Sequence, residues 1–109
     1  MVKPGRYSVW FKTRVGEGAG VVELAPDGKL RGGDSTFAYD GNWTWEGNRF
    51  KATLFAERVV PGPPGVFGMD ALDIFLSGHS DGGRSVACTG FAKQTPGIKL
   101  EVVLSPSDD

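Results

Sequence analysis

Residues 31–41, RGGDSTFAYDG, lead a Gly-Gly-Asp sequence into alternating aromatics, and the reading of that junction decides the fold. A glycine-rich loop that cradles phosphate must open a helix, whose N-terminal N–H groups hold the anion. Here the alternation simply continues. Ser35, Phe37, Tyr39, Gly41, Trp43 and Trp45 share one side, while Thr36, Ala38, Asp40, Asn42, Thr44 and Glu46 share the other. A period of two over that length predicts a half-buried strand, bent near Gly41. Gly32-Gly33-Asp34 then reads as a tight turn, its glycines free to take positive φ and Asp34 bonding its own backbone.

The same period recurs outward from this stretch. Tyr7, Val9 and Phe11; Val22 and Leu24; Phe50, Ala52, Leu54 and Ala56; Leu72, Ile74 and Leu76; Val86 and Cys88; and Ile98, Leu100, Val102 and Leu104 each form the inner face of a strand. Turn residues separate them: Gly16 to Gly18, Pro26-Asp27-Gly28, Glu46-Gly47-Asn48, Asp81-Gly82-Gly83 and Pro96-Gly97. Links this short make successive strands antiparallel neighbours. With the short piece around Leu30, about eight strands result, enough to close an all-β, up-and-down, lipocalin-like barrel. Prolines and glycines in VVPGPPGVFGMDA, Val59 to Ala71, exclude a regular helix and predict a loop or lid with a turn near Met69. Residues 1–109 read as one domain, with SPSDD, residues 105–109, as a frayed tail.

Charge excludes some partners. Twelve basic and 13 acidic residues, spread along the chain, give neither nucleic acid nor an anionic membrane a footprint. No run approaches the ~20 apolar residues of a membrane span, and none resembles a signal peptide. Cys88 is the single cysteine, which excludes an internal disulfide and a cysteine metal site and fits the cytoplasm.

No residue pattern carries catalysis. GEGAG, Gly16 to Gly20, precedes the strand VVELA and so fails as a phosphate loop. His79-Ser80-Asp81 has the letters of a triad, but three consecutive residues cannot converge as nucleophile, base and orienter. His79, the sole histidine, cannot build a multi-histidine metal site. Cys88 reads as a buried hydrophobe, and Asp70 and Asp73 as solvated charge beside the long loop. The expectation is no catalytic residue, no metal and no cofactor.

Two aromatic sets carry the candidate functions. Tyr7, Phe11, Phe37, Tyr39, Trp43, Trp45 and Phe50 point inward, enough bulk either to fill a small barrel or to line an apolar pocket. Trp10, Val21, Phe55, Phe75, Phe91 and Val103 point outward, where a monomer favours polar residues, and mark a candidate homodimer interface.

Gly5, Tyr7, Phe11, Gly20-Val21, Gly28, Gly32-Gly33-Asp34, Tyr39 and Gly41 together resemble the pattern of the GrlR-like family, over residues 5 to about 58. The resemblance implies a lipocalin-like barrel that dimerises and negatively regulates type III secretion by binding a transcriptional activator. That family's best-known member grips its activator with an exposed acidic run; the stretch here, TWEGNRFK from Thr44, has one acid, Glu46. No contact residue is carried over from it. Two functions are therefore expected: a non-enzymatic regulatory module that dimerises and binds a partner protein, or a carrier or sensor of a small apolar ligand.

Overall fold

The computed structural model describes residues 3–62, 66–80 and 85–107. Eight antiparallel strands follow one another around a closed barrel: β1 (Gly5–Thr13), β2 (Gly16–Leu24), β3 (Lys29–Gly33), β4 (Phe37–Glu46), β5 (Arg49–Arg58), β6 (Ala71–His79), β7 (Val86–Ala92) and β8 (Thr95–Pro106). β1 pairs with both β2 and β8, so the ring closes and leaves no open sheet edge. Strand order equals chain order because every hairpin link is short, apart from the one between β5 and β6.

The inner faces are those the alternation defines. Leu24, Phe50 and Val86 are fully buried, and the aliphatic positions of β5, β6 and β8 complete one core around them. Gly41 lies on this inner side of β4, opposite Leu30 of β3 and Leu54 of β5.

Several turns fall elsewhere than their glycines and prolines suggest. Gly16 to Gly18 belong to β2, and the link before it is Arg14-Val15. Pro96-Gly97 lie within β8, and Lys93-Gln94 form the link. Gly32 and Gly33 end β3 with no positive φ. Their role is clearance: a Cβ on Gly32 would stand 2.1 Å from the Val21 carbonyl oxygen. Only the Asp34 half of that turn reading holds, since Asp34 Oδ1 accepts the backbone N–H groups of Thr36 and Phe37. Gly28 and Gly47, by contrast, do turn with positive φ, 89° and 63°. Asp81-Gly82-Gly83 lie outside the described residues.

The frayed tail is also corrected. Ser105 and Pro106 pair with Ser8 and Tyr7, and Ser107 donates its N–H to the Arg6 carbonyl at 2.9 Å. The strand runs on because closure needs a partner for the free side of β1. Residues 108 and 109 are outside the described part. In the β5–β6 connection a turn forms at Val66-Phe67, and the buried Phe67 joins the core. Thr13 Oγ1 donates to the Val66 carbonyl at 2.5 Å and ties this segment to β1. Pro63, Pro64 and Gly65 lie outside the described residues.

Candidate functional site: a half-hollow barrel

Up-and-down connectivity gives the barrel two unlike ends. One end carries the β1–β2, β3–β4, β5–β6 and β7–β8 links; the other carries the β2–β3 and β4–β5 links and the chain's first and last strand ends. A cavity of about 510 Å³ occupies the interior and reaches the first end, between Val15 to Ala19, Asp34 to Thr36, and Val66-Phe67. That volume falls within the range of small-molecule pockets, about 300–1,000 Å³.

The seven inward aromatics divide between two roles. Phe11, Phe37, Tyr39 and Phe50 line the cavity. Tyr7, Trp43 and Trp45 do not, which corrects their place in the expected pocket. Trp43 stacks on Phe50 with ring centroids 6.3 Å apart, and its indole N–H donates to the Ala25 carbonyl at 3.0 Å, in the β2–β3 link. The Tyr7 hydroxyl donates to the Lys3 carbonyl near the start of β1. Trp45 pairs across from Phe50 next to the β4–β5 link. These rings pack the second end, with Phe50 as the floor of the cavity. Most of the remaining lining is aliphatic, including Leu54, Leu72, Ile74 and Leu100, which alternation alone assigns to core.

At the mouth the β3–β4 turn holds a polar pair. Asp34 Oδ1 accepts from the N–H of Thr36 at 2.8 Å and of Phe37 at 2.7 Å, while Oδ2 accepts the Tyr39 hydroxyl at 2.5 Å. Burial, and then the bond to Asp34, raise the Tyr39 pKa well above its ordinary value, so the phenol stays a neutral donor. The pairing has a faint sequence signal: a turn aspartate placed just before an inward tyrosine. Arg58 stands at the same end but outside the lining, its Nε on Asp70 Oδ1 at 2.7 Å and its guanidinium 5.1 Å from the Phe37 ring centre.

On the outer wall the six apolar residues form two groups. Phe75 and Phe91 are directly paired, 37% and 42% exposed, with ring centroids 5.4 Å apart; Phe55 is diagonal to Phe75 on β5. Trp10 pairs with the half-buried Val103, and Val21 lies on the next strand, β2. Thr89 and Glu101 separate the groups, so a single continuous patch is not formed.

The other candidate chemistry residues lie apart. His79 is exposed at the end of β6, and Asp81 of the same trio is outside the described residues. Asp73 bonds Gln94 Nε2 at 3.0 Å, whereas Asp70 holds Arg58. Among the described residues no group of three or more His, Cys, Asp or Glu side chains could hold a metal.

Burial pushes the Cys88 thiol from 9.0 up to about 12. It is expected to resist a disulfide reagent in the folded protein and to react fully in denaturant. The raised folded pKa means that the native state keeps a proton the unfolded chain loses. This contribution to stability is whole below pH 9 and declines as pH rises towards 12. Alkaline urea titrations of wild type and Cys88→Ala should therefore differ in slope.

The fold and cavity define a closed eight-stranded up-and-down β-barrel, hollow at one end and packed at the other. No protein-family model matches the chain, and no curated protein matches it either. No described helix is long and apolar enough to cross a membrane.

Proposed function

We propose that the barrel binds one small, mainly apolar molecule in its hollow half and acts as a carrier or sensor, without catalysis. The observation that carries this reading is the cavity itself: about 510 Å³ lined chiefly by apolar side chains and reaching one barrel end. A few polar groups gathered at one point of an apolar pocket are the usual arrangement for orienting a ligand. The lone buried thiol, Cys88, fits a cytoplasmic setting. Titration with the neutral fluorophore N-phenyl-1-naphthylamine is expected to show saturable one-to-one binding. Emission that rises without saturating would contradict the reading.

A second reading, a dimeric regulator that binds a partner protein as the GrlR-like resemblance implies, is favoured by the Phe75–Phe91 pair. Two exposed rings in tilted contact beside a shallow groove of about 440 Å³ form an apolar surface of the kind found at protein contacts. Sedimentation should then give twice 11.6 kDa, falling to the monomer mass in Phe91→Ser. A wild-type monomer at high concentration would exclude the dimer.

A further inference from the structure

Resting on the ligand-binding reading, we infer that the cavity selects amphiphiles whose head group donates hydrogen bonds, an amine first and an alcohol second, and disfavours carboxylates. The selectivity comes from what the mouth offers. Among the described residues lining the cavity the charged ones are Glu17 and Asp34, and none is Lys, Arg or His; Glu17 Oε2 accepts the Trp10 indole N–H at 3.0 Å on the outer wall, which leaves Asp34 as the charge at the mouth. A fatty carboxylate would bring a second negative charge beside Asp34, and no described residue of the lining supplies a cation to receive it.

The hydrogen-bond directions point the same way. The backbone N–H groups of Thr36 and Phe37 are spent on Asp34 Oδ1, and the Tyr39 hydroxyl proton is spent on Oδ2. What the Asp34–Tyr39 pair leaves for a ligand is acceptor capacity: a second lone pair on Oδ2 and the lone pairs of Tyr39 Oη. Among the described residues no cation forms an ion pair with Asp34. Arg58, at the same end of the barrel, is engaged by Asp70. The hydroxyls of Ser35 and Thr36 can donate or accept and so do not discriminate. An ammonium placed here gains a charge-assisted hydrogen bond while its chain lies against Phe37, Leu54 and Leu72.

The test uses displacement of bound N-phenyl-1-naphthylamine by octylamine, 1-octanol and octanoate at neutral pH. Octylamine is expected to displace it at about tenfold lower concentration than octanoate, as a hydrogen bond to a charged group implies, with 1-octanol between them. Octanoate displacing as well as octylamine would overturn the inference while leaving the ligand-binding reading intact. Failure of the fluorophore to bind at all would overturn both. Asp34→Asn keeps an oxygen for the Thr36 and Phe37 N–H groups but removes the charge. In that variant, with folding checked by circular dichroism, the ratio of amine to carboxylate should fall towards unity. An unchanged ratio would move the selectivity away from Asp34.

Discussion

Phe50→Ala is expected to lower stability by about 3–5 kcal/mol, enough to leave a domain of this size barely folded. Phe50 has no solvent exposure, and its ring stands between the cavity and the packed end, stacked on Trp43. Truncation removes the floor and joins the lost ring volume to space that is already empty, so neighbouring side chains cannot collapse onto it. The stacked Trp43 also loses a face of its contact. Urea unfolding followed by tryptophan emission measures the loss, with Phe50→Leu expected to cost less because most of the volume stays. Benzene should partly restore the Phe50→Ala midpoint, since a ligand that binds only the folded state stabilises it by mass action. A loss below about 1 kcal/mol would mean that the ring does not separate the two halves.

Gly41→Ala is expected to destabilise at or beyond the upper end of the usual overpacking cost, about 1–3 kcal/mol. A Cβ there would stand 2.0 Å from the Thr53 carbonyl oxygen and 2.6 Å from Leu54 Cα, both main-chain atoms of the paired strand β5. Backbone cannot swing aside as a long side chain can. The close approach of β4 to β5 at Gly41 would have to relax, and that pairing is one of eight on which closure depends. Gly16→Ala provides the contrast, because nothing lies within 4 Å of its Cβ site and its φ is not positive. Its midpoint should stay within about 0.5 kcal/mol of wild type. Equal effects of the two substitutions would remove the steric explanation.

Gly41 also shows what the sequence makes legible. Alternation from Phe37 to Trp45 specifies a strand and its inner face, because a side-chain period of two fixes the face wherever one side is buried. Two of the misplaced links are places where glycine does a different job. Gly18 lies beneath the Phe11 ring, whose nearest atom would be 2.7 Å from a Cβ, and Gly32 makes room for the Val21 carbonyl. The real links, Arg14-Val15 and Lys93-Gln94, contain no turn-forming residue and need none, since none of these four residues has positive φ. The division of the barrel into hollow and packed halves is hidden for another reason. Inward aromatics are counted easily, but their position along the barrel axis depends on strand register, which brings Trp43 and Trp45 beside Ala52 and Phe50 at one end. The other end receives branched aliphatics and small residues such as Gly18 and Ala56. The Asp34–Tyr39 bond likewise needs the turn to fold before the two groups meet.

Crystals of the protein pressurised with xenon test the half-hollow barrel most directly, because a dry apolar cavity takes up xenon and a packed core does not. The expected result is xenon density among Phe37, Leu54 and Leu72 and none between Trp43 and Trp45. A barrel that takes up no xenon, or takes it up at the tryptophan end, would contradict the account.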